Sequence, residues 1–130
     1  MPKIFVTRAI PDEGLSLLRE SFGSENVVVF PHDRVIRRAE LLEGVCGVDA
    51  LLCILTDTID DAVIEGAGPP LKIIANYAVG YNNIDVGAAT ARGIPVTNTP
   101  GVLTETTADL TWALLLATAR RLGEGERFLR

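Results

Sequence analysis

LKIIANYAVGYNNIDV, residues 71–86, decides the fold. Leu71, Ile73, Ile74 and Ala75 make a short apolar run that reads as a buried strand over residues 71–76. Val79-Gly80 ends it. Asn82, Asn83 and Asp85 follow, and these are residue types that turn a chain and cap a helix. Residues 86–92 then read as that helix, closed by Gly93. A buried strand that leads through a glycine loop into a helix is one unit of an α/β fold.

The same alternation extends in both directions. Strands are predicted over residues 3–7, 26–30, 50–55 and 95–97, and helices over 11–22, 37–45, 60–65 and 104–122. In the first helix Leu15, Leu18 and Phe22 share one face, Pro11 suits the first turn, and Asp12 and Glu13 favour its positive end. Pro31 stops the second strand. Residues 50–55, ALLCIL, are apolar throughout, which suits a central strand buried on both sides. Strands of this kind separated by helices imply a parallel sheet covered on both faces. Five of them resemble the flavodoxin-like (Rossmann-like) arrangement. No internal repeat and no low-complexity segment interrupts the pattern.

The last predicted helix is unusual. Thr104 or Thr106 can cap it, and Asp109 lies three residues after Thr106, an approximate capping box. Leu110, Trp112, Leu114, Leu115, Leu116, Ala117 and Ala119 spread around most of its circumference. A helix apolar nearly all round demands burial nearly all round. Either it is a central core helix, or it sits between two domains. The expected division is a domain over residues 1–100 and a crossing helix over 101–130.

Composition narrows the function. The 130 residues hold 48% hydrophobic and 22% charged residues, enough apolar material for a real core. With 12 basic against 17 acidic residues the net charge is -5, which disfavours nucleic acid as a partner. The pairs Arg37-Arg38 and Arg120-Arg121 read as solvated helix ends. No apolar run reaches the roughly 18 residues of a membrane helix, and the N-terminal stretch does not read as a signal peptide. Cys46 and Cys53 form no Cys-x-x-Cys pair, and His32 is the only histidine, so no zinc set assembles. Both cysteines read as small core residues in a reducing, cytoplasmic setting.

Ligands of open parallel sheets bind beyond the carboxyl ends of the strands. The loops expected there are 8–10, 31–33, 56–58, 77–83 and 98–102, and the fourth is the richest. A glycine lets backbone N–H groups approach an anion, so the Val79 and Gly80 amides can cradle a carboxylate. Alternatively, Gly80 only relieves a tight turn, with Asn82, Asn83 and Asp85 capping the next helix. Spacing alone leaves both readings open. His32, on a polar loop, reads as a surface histidine rather than a general base. No Gly-x-Ser-x-Gly elbow is present. The acidic residues and lysine of a phosphate-accepting receiver domain are missing, as is the hydroxyl-rich loop of a flavin site. Gly123-Glu124-Gly125 follows a helix and lacks a third glycine, so it is no dinucleotide fingerprint.

The segment NYAVGYNNIDVGAATARGIPVTNTPGVLTETTADLTWALLLATARRL, residues 76–122, resembles the D-isomer-specific 2-hydroxyacid dehydrogenases, especially glyoxylate and hydroxypyruvate reductases. The Val-Gly loop, the ARGIPVTNTPG segment and the TTAD helix start occur in the family's order. The resemblance spans residues 3–130. It implies two Rossmann-like domains with a cleft between them, the first half of the chain building most of the substrate domain. It also implies reversible hydride transfer between NADH or NADPH and the carbonyl carbon of a small 2-oxoacid. By position, Val79 and Gly80 then hold the substrate carboxylate, Leu55 forms an apolar wall, and Thr107 contacts the nicotinamide end of the cofactor. Asn83 and Asp85 fix the loop and cap the next helix.

Asn82 stands where the family usually has aspartate, a mild change because asparagine makes the same turn hydrogen bonds. The resemblance puts the family's catalytic arginine, glutamate and histidine, and its glycine-rich cofactor loop, after residue 130. No catalytic residue is therefore expected in this chain, which is expected to be inactive alone. The resemblance implies a homodimer for the full-length enzyme. The competing expectation is a non-catalytic module that binds small carboxylates or associates with another chain.

Overall fold

The computed structural model describes residues 1–130. In chain order the elements are β1 (Ile4–Val6), α1 (Asp12–Phe22), a single 3-10 turn (Ser24–Asn26), β2 (Val27–Val29), α2 (Arg38–Val45), β3 (Ala50–Ile54), α3 (Asp61–Ala67), β4 (Ile73–Tyr77), α4 (Val86–Ala91), β5 (Val96–Thr97), α5 (Thr104–Ala119) and α6 (Leu122–Leu129). They form two compact units, Met1–Thr99 and Pro100–Arg130.

The first unit is a five-stranded sheet in the order β2-β1-β3-β4-β5. Every pairing is parallel, with Phe5 beside Leu51 and Leu51 beside Ile74. The flavodoxin-like expectation holds, and the apolar strand at 50–55 is the central one. Side chains alternate between the faces, as the period of two requires. Phe5, Leu51, Cys53 and Ile74 join residues of α2, α3 and α4 in the larger core, while Ile4, Val6 and Val27 pack with Leu15 of α1 in the smaller one. Leu18 and Phe22 lie against that smaller core, so the predicted apolar stripe of α1 is real. Val45, Val48, Cys53, Ile59, Val63 and Ile74 are fully shielded from solvent. Each such valine or isoleucine contributes about 1.5–3 kcal/mol on burial.

Local sequence sets the helix ends. The Asp60 carboxylate accepts from the Val63 N–H at 3.0 Å and the Asp85 carboxylate from the Ala88 N–H at 2.8 Å, capping α3 and α4. Gly68 (φ 77°) and Gly93 (φ 69°) close the same two helices in a conformation that only glycine adopts freely. In α2, Gly44 lies so close to the Phe5 ring that a Cβ there would collide with it.

Some expectations fail. The predicted helix over 104–122 breaks: α5 ends at Ala119, Arg121 adopts the left-handed conformation (φ 55°), and α6 starts at Leu122. Neither Thr104 nor Thr106 caps α5, because the N-cap is Leu103 and both threonines already lie in the first turn. Leu110, Trp112, Leu114, Leu115 and Leu116 are all more than half exposed, so α5 is not the central core helix its composition allows. Cys46 is exposed at the end of α2, whereas Cys53 is buried as expected. No helix is long and apolar enough to cross a membrane.

Candidate functional site

The loops that follow β1, β3, β4 and β5 all leave the carboxyl edge of the parallel sheet, and polar groups concentrate there. Asn76 is the penultimate residue of β4 and is buried at 3% exposure. A buried amide needs partners, and the loop beyond supplies them. Asn76 Nδ2 donates to the Gly80 carbonyl at 2.8 Å and to Asn83 Oδ1 at 3.0 Å. Asn83 Nδ2 donates to the Ile54 carbonyl at 3.2 Å and the Asp57 carbonyl at 3.1 Å. Asn83 fixes the loop and Asp85 caps α4, as the resemblance implies.

The segment from Ala78 to Gly80 is held by its oxygens. The Ala78 carbonyl accepts from the Thr99 N–H at 2.9 Å. Asn98 Nδ2 donates to the Val79 carbonyl at 2.7 Å, and Asn76 holds that of Gly80. Three consecutive carbonyls are thus pinned, while the Val79 and Gly80 N–H groups donate to no acceptor of the chain. Both residues are exposed. Gly80 is not among the glycines with positive φ, and a Cβ built there meets only Asn82 Oδ1, at 3.4 Å. The turn itself therefore does not require glycine, which weakens the steric alternative.

The neighbouring loop, after β3, is a tight turn closed by the Asp57 N–H donating to the Ile54 carbonyl at 3.0 Å. The Asp57 carboxylate accepts from the Ile54 N–H at 2.9 Å and from Thr7 Oγ1 at 2.5 Å. Thr7 and Asp57 are both buried, and one oxygen of Asp57 has no partner. Burial, together with the charge of Asp57, pushes the Cys53 thiol up to about 12. Leu55 projects from this turn at 66% exposure.

The predicted site residues therefore divide. Leu55, Val79 and Gly80 occupy loops joined by hydrogen bonds. Thr107 lies on α5 in the second unit, with an exposed side chain, and its carbonyl accepts from Thr111 Oγ1 at 2.7 Å. Gly123 and Gly125 fall inside α6, so the partial glycine motif is not a strand-to-helix turn. His32 is exposed, its ring edge-on to Phe30 with centroids 5.3 Å apart. No three His, Cys, Asp or Glu side chains converge to hold a metal ion. Sequence reading missed Asn76, Asn98 and the Thr7–Asp57 pair. The available signal was an asparagine or threonine at the end of an apolar strand, a polar side chain that must find partners where the sheet stops.

Residues 4–123 match the D-isomer specific 2-hydroxyacid dehydrogenase catalytic domain. The glyoxylate reductase of Thermococcus gammatolerans is 57% identical over 129 residues, which are 99% of this chain and 37% of that protein. The glyoxylate reductase of Korarchaeum cryptofilum is 52% identical over 99% of this chain and 38% of its own length. Among solved structures, the TT0316 protein of Thermus thermophilus superposes with a TM-score of 0.84 at 46% identity, covering 98% of this chain and 40% of that one. A Polaromonas protein described as an NAD-binding D-isomer specific 2-hydroxyacid dehydrogenase gives 0.86 at 32% identity, covering all of this chain and 40% of its own. The chain spans less than half the length of the relatives it matches. With that match over nearly its whole length, the chain belongs to the D-isomer specific 2-hydroxyacid dehydrogenases, of whose catalytic domain it carries a part.

Proposed function

We propose that this chain contributes the carboxylate-holding part of an enzyme that reduces a small 2-oxoacid, glyoxylate or hydroxypyruvate, to the 2-hydroxy acid. The observation that carries this reading is the loop of pinned carbonyls whose Val79 and Gly80 N–H groups find no acceptor within the chain. Two adjacent amides with no internal acceptor suit a carboxylate, whose oxygens accept strong charge-assisted hydrogen bonds. Leu55, exposed on the next loop, suits an apolar wall that favours the short carbon chain of such an acid. The similarity to glyoxylate reductases supports the substrate class.

NADH or NADPH, when bound, supplies the hydride that adds to the carbonyl carbon. The resemblance assigns one contact with such a cofactor to Thr107, whose side chain is exposed on α5. What this chain's residues do in the reaction is bind and orient. By holding the carboxylate, Val79 and Gly80 fix the direction in which the carbonyl is presented. The domain division proposed is a substrate domain up to residue 100 and, beyond it, a crossing segment made of α5 and α6. The complete protein is proposed to act as a homodimer.

Titrating isotope-labelled chain with glyoxylate tests this reading. The Val79 and Gly80 amide resonances are expected to shift together and saturably, with acetate weaker than glyoxylate. No change at these two amides would sink the carboxylate cradle. A second reading, association with another chain, is favoured by the exposed Leu110, Trp112 and Leu115 of α5. Size-exclusion chromatography separates the two: a clean monomer that binds no hydrophobic dye counts against association.

A further inference from the structure

We infer that Asn83 is a positioning residue that clasps the loop bearing Leu55 to the loop bearing Val79 and Gly80. The inference rests on the proposed carboxylate site and adds what sets its width. Each end of the Asn83 side chain holds a different loop. Its Nδ2 reaches both ends of the turn that carries Leu55, the carbonyls of Ile54 and Asp57 at 3.2 and 3.1 Å. Its Oδ1 accepts from Asn76 Nδ2 at 3.0 Å, and the same Asn76 nitrogen holds the Gly80 carbonyl at 2.8 Å. Asn83 Nδ2 also lies 3.4 Å from Asn76 Oδ1, a longer contact that can only share one of the two hydrogens already directed at the Leu55 turn. The backbone is tied in as well, since the Ile59 N–H donates to the Asn83 carbonyl at 2.9 Å and the Asp85 N–H to the Ile59 carbonyl at 2.8 Å.

These bonds make one continuous route from Leu55 to Gly80. The Leu55 turn is gripped from the other side too, by the Asp57 carboxylate on the Ile54 N–H. Leu55 and Gly80 therefore keep a fixed spacing although both are exposed. Asn83 does this with both N–H donors of its side chain already committed to the Leu55 turn, so it has none left to offer the ligand. A carboxylate seated on the Val79 and Gly80 amides then meets the Leu55 wall at a distance that Asn83 defines, which makes it a determinant of the size of acid accepted.

The test combines amide hydrogen exchange with glyoxylate titration on the 130-residue chain. Asn83→Ala is expected to speed exchange at least tenfold in both 55–58 and 78–81, while the interiors of β3 and β4 keep their protection. It is expected to weaken glyoxylate binding at least tenfold. Val45→Ala, in the core at the opposite end of the sheet, is the control: it lowers stability and leaves affinity unchanged. Asn83→Asp keeps the acceptor for Asn76 and loses the donors to Ile54 and Asp57. It is expected to loosen 55–58 alone, and it serves if Asn83→Ala does not fold. Loosening of neither loop, or loosening spread evenly over the chain, overturns the clasp. So does unchanged affinity in a variant whose parent binds glyoxylate. A parent chain that does not bind glyoxylate refutes the carboxylate site, and the exchange pattern still decides whether Asn83 joins the loops.

Discussion

Thr7 Oγ1 donates to the Asp57 carboxylate at 2.5 Å, with both side chains buried where β1 and β3 end. The bond joins the ends of two strands that are far apart in sequence and satisfies one oxygen of a buried carboxyl group. Thr7→Val keeps the shape and deletes the donor. The loss is expected to be about 1–3 kcal/mol, the range for removing one partner of a buried hydrogen bond. A urea denaturation midpoint unchanged within error would show that the pair contributes nothing.

Gly80 is expected to matter for ligand and not for folding. A Cβ at this position meets only Asn82 Oδ1, and the backbone is not left-handed. Gly80→Ala should therefore stay within about 0.5 kcal/mol of the parent in stability, as ordinary exposed substitutions do. Glyoxylate affinity should fall at least tenfold as the methyl crowds the approach to the amides. A large loss of stability with affinity retained would return the glycine to a purely steric role.

Glu40 gives the fold an acid-sensitive element. Arg34 donates to its carboxylate at 2.9 and 2.6 Å and the Arg37 N–H at 2.9 Å. The Arg34 guanidinium, then the Arg37 N–H, lower its pKa from the ordinary 4.5 to about 2. A carboxyl lowered on folding stabilises fully above its unfolded pKa, and that contribution disappears as pH falls through the folded one. Glu40→Gln should consequently lower the thermal midpoint most above about pH 5, with the gap closing towards pH 2. A gap that does not change with pH would disprove the linkage.

The two thiols should separate cleanly. Cys46 is exposed, while Cys53 is buried with its thiol pushed up to about 12. A thiol reagent at neutral pH should label one cysteine in the folded chain and both in denaturant. Labelling of Cys53 under native conditions at the rate of Cys46 would mean that the central strand opens readily.

How far the fold was legible depends on where its signals are local. The strand at 50–55 could be placed at the centre because ALLCIL has no polar face to expose, and α1 because Leu15, Leu18 and Phe22 repeat at the helical period. The end of α5 was not legible, because the break falls on Arg121 in a left-handed conformation usually taken by glycine, whereas Gly123 and Gly125 sit inside the helix that follows. Cys46 was misplaced because the composition of a residue does not say which side of a short helix end it occupies. At the candidate site, the Val79-Gly80 loop after a strand is legible in the sequence as a glycine loop. Asn98 was not, since its bond to the Val79 carbonyl spans 19 residues and depends on β5 lying beside β4. Topology, not motif, brings those two loops together.

The pinned carbonyls of Ala78, Val79 and Gly80 have one more consequence. None of these peptide planes can rotate without breaking a bond to Thr99, Asn98 or Asn76. The orientation of the N–H groups is thus set when the chain folds, and an arriving anion does not have to order the loop. Under the proposed carboxylate reading, recognition would be rigid and discriminate by fit, and calorimetry should find little entropy lost from the loop itself.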